Sequence, residues 1–349
     1  MTNQLAQAAD QVWQQMKTDH SGNWGMDIHQ WDWVPGVGVI AMLEYGMQLQ
    51  QAEGRTDVLD YLQQWVKQNE GKAAAARVIN GIAPYAIFPG LNRVSGEEAY
   101  RKKAIMIAEW LMKEAPRTRE QAFEHTVTEN VEFAEQVWAD TIFMAVLHLA
   151  RTAALTGNVE FAEEAQRQVL IHLRLLEDKD SGVLYHGWNC STKDHMSAAR
   201  WTRANAWIAA GVPLIAQEIS GLVAVEAELR ERYVRLMDGL VRYQQADGLW
   251  STVMDQPEFY REISGSAGIA YGLLKAMEGG LLKRDERYEA AAQRALQAIL
   301  PYIDENGLVG GVSGGTPVME SIAAYNNIPL YPTLYGQGLV LMLLLQQLS

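Results

Sequence analysis

Apolar residues recur at spacings of three and four along nearly the whole chain, which predicts one helix after another and few strands. The predicted helices are of two kinds that alternate. Six are apolar on almost every side, which indicates helices enclosed by protein: roughly 34–50, 80–92, 136–155, 203–219, 264–278 and 331–348. Six are amphipathic and rich in charge, which indicates one face in water: roughly 3–19, 56–69, 97–113, 159–177, 223–245 and 285–302.

The segments between these helices also repeat. Glycine turns with a short extended piece follow the amphipathic helices: HSGNWGMDI (20–28), DSGVLYHGW (180–188), ADGLWSTVM (246–254) and ENGLVGGVS (305–313). Gly182, Gly248 and Gly307 of these turns lie 66 and 59 residues apart, which is about the length of one helix pair. Self-similarity at such a period is typical of a repeat architecture.

Six helix pairs of this size fill the 349 residues. Bulky apolar inner helices favour a closed ring, so we predict an all-α fold, a single (α/α)6-barrel domain over residues 1–349 with six inner and six outer helices. An open solenoid is the alternative. The glycine-turn segments are the longer and more aromatic ones, so we expect the functional site at their end of the barrel, under a long Gly/Pro-rich loop at 310–338.

Composition narrows the class of partner. The formal charge of −13, without a cluster of Lys and Arg, argues against nucleic acid. The N-terminus lacks the pattern of a signal peptide, and the longest apolar run, 338–345, is far below the roughly 20 residues that cross a bilayer. We therefore expect a cytoplasmic protein with neither a nucleic-acid nor a membrane partner.

The sequence lacks the motifs that are typical of disulfide-rich, metal-binding and serine-hydrolase proteins. The single cysteine, Cys190, excludes an internal disulfide framework and a multi-cysteine metal site. No HExxH motif is present, and no GxSxG elbow stands in an α/β context, so we expect no metal, no cofactor and no serine-hydrolase triad. Eleven Trp and fourteen Tyr indicate either an aromatic core or stacking on sugar rings.

Asp140 is the most informative single residue. It lies in QVWADTIFMAVLHLAR (136–151), a run that otherwise reads as a buried helix. An N-cap is one interpretation, but Val137 and Trp138 before it have a helical pattern. Burial among Trp138 and its apolar neighbours predicts a raised pKa for the carboxyl group, because desolvation disfavours the charged form. A general acid has this property.

Other candidate residues come from the segments that lead into the apolar helices, and each has a structural alternative. Trp33 is predicted at the barrel mouth or in a packing cluster, and Asn80 in the pocket or at a helix cap. Arg203, between two Trp, is predicted to hold an anion or to form a surface salt bridge. Together with His125 and His186, Arg203 is expected to make a positive pocket floor.

Five motifs together resemble one family of enzymes: WDWVPGVG (31–38), QVWADTIFMA (136–145), LYHGW (184–188), WTRANAW (201–207) and PTLYGQGLVL (332–341). The chain is similar to the unsaturated glucuronyl and rhamnogalacturonyl hydrolases of glycoside hydrolase families 88 and 105, and more to family 105. The motifs span nearly the whole chain in the family's order.

The resemblance implies the (α/α)6 barrel and assigns roles. Asp140 matches the general acid/base of the W-x-D-x-x-[FY]-M motif. Asn80 stands where relatives often have an aspartate, and Thr202 and Ala206 stand where they often have glycine. The other matched residues hold substrate or shape its pocket in the family: Trp33, His125, Trp138, His186, Trp201, Arg203 and Trp207.

The resemblance also implies the reaction. The partner is a short oligosaccharide, left by a polysaccharide lyase, with a 4,5-unsaturated galacturonyl or glucuronyl residue at its non-reducing end. One aspartate protonates C4 and then activates the water that attacks C5. If so, Arg203→Ala is expected to raise KM far more than it disturbs folding. The alternatives are another (α/α)6 enzyme, such as a sugar 2-epimerase, and a non-catalytic helical scaffold.

Overall fold

Six helices form the inner layer of the structure, a computed structural model that describes residues 2–129 and 131–348. They are α2 (Trp33–Glu53), α4 (Phe88–Ser95), α6 (Leu147–Thr156), α8 (Thr202–Ile219), α10 (Ile263–Glu278) and α13 (Leu334–Gln346). A 3-10 segment (Asn80–Ile87) extends α4 at its start, and a π-helical segment (Ile142–Val146) extends α6.

Six amphipathic helices surround this layer. They are α1 (Thr2–Met16), α3 (Asp57–Asn69), α5 (Glu98–Lys113), α7 (Val159–Leu176), α9 (Ala227–Tyr243) and α11 (Glu286–Ile299). The remaining elements are short: strands β1 (Gln136–Trp138) and β2 (Gly187–Asn189), the one-turn helix α12 (Ile322–Tyr325), and 3-10 turns at Glu70–Lys72 and Leu300–Tyr302.

The inner layer is a closed ring. Each inner helix or its N-terminal extension contacts the next one along the chain, and α13 contacts α2. In α13, every residue from Leu334 to Leu345 is buried, as expected for a helix that is apolar on all sides. The predicted (α/α)6 barrel is confirmed, and the open solenoid is excluded.

The repeated glycine turns have one structural role. Gly182, Gly248 and Gly307 all have positive φ, and each lies against a backbone carbonyl of the next outer helix in the ring. A Cβ at Gly182 would lie 2.7 Å from the carbonyl oxygen of Arg235 in α9, and one at Gly248 would lie 2.7 Å from that of Arg294 in α11. Gly307 meets α1 at Gln11 in the same way, so the last turn closes the outer ring.

The two ends of the barrel differ because the helices begin and end differently. At one end α2, α4 and α6 finish in left-handed glycines, Gly54, Gly96 and Gly157, so the following outer helix starts after a tight turn. At the other end long segments lead from the outer helices into the inner ones. This end carries the predicted site and the loop at 310–338.

One predicted helix boundary is wrong. The run 136–155 does not begin as a helix, because Gln136–Trp138 forms β1 and pairs antiparallel with β2. Val137 and Trp138 are buried in this strand, so their apolar character resembles that of an enclosed helix. Helical geometry starts at Asp140.

Within the described ranges no helix combines the length and the apolar character that crossing a membrane would require.

Candidate active site

A pocket of about 360 Å³ opens at the end of the barrel where the inner helices begin. Seven of the predicted residues line it: Trp33, Asn80, His125, Trp138, Asp140, Trp201 and Arg203. Their backbone segments belong to four different helix pairs, and the barrel brings them together. Because the inner helices start at this end, the positive ends of their dipoles favour negative charge in the pocket.

Asp140 is held between two strands and a helix start. The N–H of Ala139 donates to the carbonyl of His186, 3.3 Å away, which ties this segment to β2. The Asp140 side chain is only 13% exposed, and its Oδ2 lies 3.5 Å from Nε2 of His186. The carboxyl group therefore lines the pocket while its other side is covered by protein.

The predicted raised pKa of Asp140 is wrong. Burial by itself raises the pKa of this carboxyl group, but the neighbouring His186, His125 and Arg203 more than offset it, so its pKa is lowered. In the unliganded protein Asp140 is therefore a carboxylate at neutral pH. Its apolar sequence neighbours gave no sign of these groups, which come from other parts of the chain.

His186 is buried behind Asp140 instead of lining the pocket. Its Nδ1 lies 2.7 Å from Oη of Tyr325, and its ring packs against Trp201 at 4.2 Å and Trp138 at 5.4 Å between centroids. Burial lowers the pKa of His186, so the imidazole is neutral at pH 7. The predicted contact of His186 with substrate is therefore replaced by a contact with Asp140.

His125 lines the pocket but is also neutral. Its ring stacks on Trp138 with centroids 4.3 Å apart, and its Nδ1 lies 3.0 Å from Oγ1 of Thr141. Burial lowers the pKa of His125 to about 4. The expected positive floor made by Arg203 and two histidines is thus revised, because the histidines carry no charge near neutrality.

Arg203 is 1% exposed and is held on every side. Its guanidinium carbon lies 4.4 Å from the centre of the Trp201 ring and 4.8 Å from that of Tyr335. The NH1 group donates to the carbonyl and hydroxyl oxygens of Ser313, and NH2 donates to the carbonyl of Gly314 at 2.7 Å and to Oγ1 of Thr316 at 3.3 Å. Arg203 therefore fastens the 310–338 loop over the pocket.

Sequence reasoning missed the counter-ion of Arg203. Glu262, just before α10, is fully buried, and its Oε1 lies 3.5 Å from NH1 of Arg203. The same carboxylate accepts from the N–H groups of Gly265 and Ser313, so it also caps α10 and holds the loop. The signal in the sequence was a single Glu before an apolar helix, which is too common to stand out.

Aromatic side chains form the outer part of the pocket. Trp33 stacks on Tyr335 with ring centroids 5.0 Å apart and planes 18° from parallel. Trp24 meets Trp33 and Tyr331 edge to face at 5.9 and 6.3 Å and is 48% exposed. Trp24 and Tyr331 were not among the predicted residues. The position of Trp24 in a repeated glycine-turn segment was the one available hint.

Asn80 and Trp207 were both predicted to belong to the pocket, but only Asn80 lines it. Asn80 lines the pocket, its N–H donates to the carbonyl of Thr126 at 3.0 Å, and its buried Oδ1 has no hydrogen-bond partner in the described part of the chain. Trp207 is fully buried beside Phe143, with centroids 5.2 Å apart, and does not line the pocket. Four residues after Arg203, Trp207 lies about 6 Å deeper along α8, in the barrel core.

Within residues 2–129 and 131–348, no group of three or more His, Cys, Asp or Glu side chains is arranged so that it could hold a metal ion.

The comparison with known proteins agrees with the fold and pocket. Residues 6–349 match the model of Glycosyl Hydrolase Family 88. The unsaturated rhamnogalacturonyl hydrolase YesR of Bacillus subtilis is 33% identical over 318 residues, which cover 89% of this chain and 88% of that protein.

Two crystal structures of possible members of the GH105 family superpose closely on the barrel. The protein from Salmonella enterica has a TM-score of 0.91 at 28% identity, over 100% of this chain and 94% of that one. The protein from Klebsiella pneumoniae has a TM-score of 0.90 at 29% identity, over 99% and 93% of the two chains.

The fold and pocket thus define a glycoside hydrolase built on an (α/α)6 barrel. The chain belongs to glycosyl hydrolase family 88 and is similar to GH105 members, which confirms the resemblance seen in its motifs. The roles of the individual site residues stay predictions.

Proposed function

We propose that this hydrolase removes a 4,5-unsaturated uronic acid from the non-reducing end of short oligosaccharides produced by polysaccharide lyases. The observation that carries the proposal is the position of Asp140, a largely covered carboxylate in the wall of an aromatic pocket at the helix-start end of the barrel. The similarity to YesR, an unsaturated rhamnogalacturonyl hydrolase, supports the same substrate class.

Proton supply is the first requirement of the reaction, because Asp140 is a carboxylate in the unliganded protein. A bound uronate places a second negative charge in the pocket and displaces water. Both changes favour the protonated form of Asp140. Substrate binding therefore takes up a proton, and the complex contains the general acid that the free protein lacks at neutral pH.

In the proposed reaction one residue, Asp140, first gives a proton and then takes one back. Asp140 gives its proton to C4 of the double bond, and the positive charge at C5 is shared with the ring oxygen. The Asp140 carboxylate takes a proton from water as the water oxygen bonds to C5, which restores the acid. The hemiketal at C5 opens, and the hemiacetal left at C1 collapses and releases the neighbouring sugar.

Arg203 attracts the uronate mainly through its charge. A guanidinium has five N–H donors, and the four on NH1 and NH2 of Arg203 are already directed at the 313–316 segment. A two-pronged hydrogen bond from NH1 and NH2 to substrate is therefore not available without releasing the loop. Asn80, with its unpartnered Oδ1 in the pocket lining, suits a sugar hydroxyl.

In this proposal the leaving sugar lies at the rim of the pocket. Asp140 and Arg203 lie at the floor, whereas Trp24 is the half-exposed ring at the entrance. A flat aromatic surface there supports the apolar face of a pyranose, and it does so whatever the charge on the first sugar. Trp24 thus belongs to the part of the pocket that meets the released product.

Absorbance tests the proposal directly. The double bond of the unsaturated uronate is conjugated with its carboxylate and absorbs in the ultraviolet, and hydration removes the band. We expect the protein to bleach at least one member of a panel of galacturonyl and glucuronyl lyase products. Epimerisation would leave the band intact. A panel that keeps its absorbance while sugar analysis shows no release would overturn the proposal.

A further inference from the structure

We infer that Tyr325 is a positioning residue that fixes the tautomer of His186 and so keeps an N–H directed at Asp140. The inference rests on the proposed function, since it takes Asp140 as the acid. Tyr325 ends the short helix α12 inside the 310–338 loop, far along the chain from both other residues. Tyr325 does not line the pocket and acts on Asp140 only through His186.

The hydrogen bonds of Tyr325 decide which nitrogen of His186 carries the proton. Its fully buried Oη lies 2.7 Å from Nδ1 of His186 and also accepts from the N–H of Met319, 3.2 Å away. Met319 supplies only a donor, and the Ser197 hydroxyl beside the phenol lowers its pKa, as a donor to Oη does, so the imidazole Nδ1 at 2.7 Å is the acceptor for the phenol proton. Nδ1 therefore accepts, and the neutral ring carries its proton on Nε2.

The Nε2–H has a single polar neighbour. Asp140 Oδ2 lies 3.5 Å from Nε2, which is longer than a regular hydrogen bond, and neither atom has a hydrogen-bond partner in the described part of the chain, so the contact is mainly electrostatic in the unliganded protein. The rings of Trp201 and Trp138 pack against His186, which restricts its rotation. The opposite tautomer would turn a lone pair towards the carboxylate, so the tautomer determines whether this contact attracts or repels.

The charged surroundings of Asp140 come from several elements. Arg203 at the start of α8 is paired with Glu262, His125 is neutral at pH 7, and Glu129 lies on the pocket wall. Tyr325 stays protonated because burial raises the pKa of its phenol. Changing Tyr325 to Phe leaves all these charges in place, removes the group that holds the His186 tautomer, and also leaves the N–H of Met319 without this acceptor.

Loss of this group has two expected effects. Without the N–H of His186 facing it, the charged form of Asp140 is less stable relative to the protonated form. Asp140 therefore stays protonated up to a higher pH. The carboxylate that forms as the proton leaves is also less well stabilised, so the chemical step slows even where Asp140 is fully protonated. A role of Tyr325 in packing alone would change the rate without moving its pH dependence.

The test compares Tyr325→Phe with Tyr233→Phe. Tyr233 is a matched control, because it is also fully buried and its hydroxyl donates at 2.7 Å, but to the carbonyl of Ala209 in the barrel wall. For Tyr325→Phe we expect the alkaline limb of kcat/KM to move up by about one pH unit and the acid plateau of kcat to fall about tenfold. Tyr233→Phe is expected to keep both.

A second readout does not depend on activity. Nitrogen-15 NMR of the seven histidines, with His186 assigned by its absence in His186→Gln, reports which ring nitrogen is protonated. We expect Nε2–H in the wild type and loss of this preference in Tyr325→Phe. Nδ1–H in the wild type, or an unmoved pH limb in a folded Tyr325→Phe protein that still bleaches substrate, would overturn the inference. A wild type with Nε2–H that bleaches nothing would overturn the proposed function instead.

Discussion

Oδ2 of Asp140 lies 3.5 Å from Nε2 of His186, and the two residues meet across the join between β1 and β2. This contact connects the proposed general acid to an imidazole that is neutral at pH 7. Together with His125 and Arg203, His186 lowers the pKa of Asp140 in the unliganded protein. Under the proposed mechanism, the carboxylate of the substrate raises this pKa again on binding, and this gives the activity a specific pH dependence.

The pH dependence of kcat/KM differs from that of kcat. Because the neighbours of Asp140 lower its pKa in the free protein, kcat/KM is expected to fall as pH rises towards neutrality. The limb of kcat, which reports the complex, is expected at higher pH, because bound uronate raises the pKa of Asp140. Steady-state kinetics across pH measures both limbs. Coincident limbs, or a rate that rises with pH, would be inconsistent with proton uptake on binding.

Arg203→Ala is expected to damage folding as well as binding, which revises the expectation from the sequence. The side chain is 1% exposed, and its removal leaves Glu262 as a buried unpaired charge. We expect a loss of about 3–5 kcal/mol in the free energy of unfolding by urea denaturation. Arg174→Ala, which breaks the exposed pair with Glu228, is the control and is expected to cost less than about 1 kcal/mol. Equal costs would contradict the structural role of Arg203.

Trp24→Ala is expected to weaken substrate binding without weakening the fold. The ring is 48% exposed at the pocket rim, so its removal leaves little cavity. We expect KM to rise about tenfold, as for the loss of an aromatic contact worth about 1.4 kcal/mol, with an unchanged melting temperature. Tyr302→Ala removes a ring of similar exposure that does not line the pocket and serves as the control. Identical KM values in the two variants would remove Trp24 from the binding site.

Buried histidines make the stability of the barrel sensitive to mild acid. Burial lowers the pKa of His125, His148 and His172 to about 4, whereas in the unfolded chain it is near 6.5. Between these values the unfolded chain binds more protons, so stability is complete above pH 6.5 and falls as pH drops towards 4. Each histidine accounts for up to about 3 kcal/mol of this loss.

His172→Phe tests this dependence at a buried histidine that does not line the pocket. Nε2 of His172 has no hydrogen-bond partner in the described part of the chain, so Phe removes the titration and costs the Gln168 carbonyl only its side-chain donor, since that carbonyl lies within α7. Urea denaturation at pH 7.5 and pH 5 is expected to show a smaller difference for the variant than for the wild type. His20→Gln, at a more exposed position, is expected to keep the full difference.

The fold was predictable because it follows from local patterns. Helices enclosed by protein are apolar on all sides, and Gly182, Gly248 and Gly307 recur because the same turn meets the next outer helix each time. The strand at 136–138 was not predictable, since three residues are too few to show a periodicity and their partner strand lies some fifty residues further along the chain.

The identity of the site residues was more predictable than their states. Asp140 stood out as a carboxylate in an apolar run, but the direction of its pKa shift depends on His186 and Arg203, which only the folded barrel brings close. The family resemblance assigned Arg203 and Trp207 to the same pocket, yet four residues along a helix separate the pocket lining from the core. The charge state of a side chain and its depth below the pocket depend on the tertiary structure, so the sequence pattern did not reveal them.

The decisive measurement is bleaching of an unsaturated disaccharide by wild-type protein and by Asp140→Asn, with the folding of both checked by circular dichroism. Asparagine keeps the shape of the side chain but has no proton to exchange, so we expect kcat to fall about a thousandfold or more in a variant that still unfolds cooperatively. An Asp140→Asn protein that removes the double bond at the wild-type rate would contradict the assignment of Asp140 as the acid.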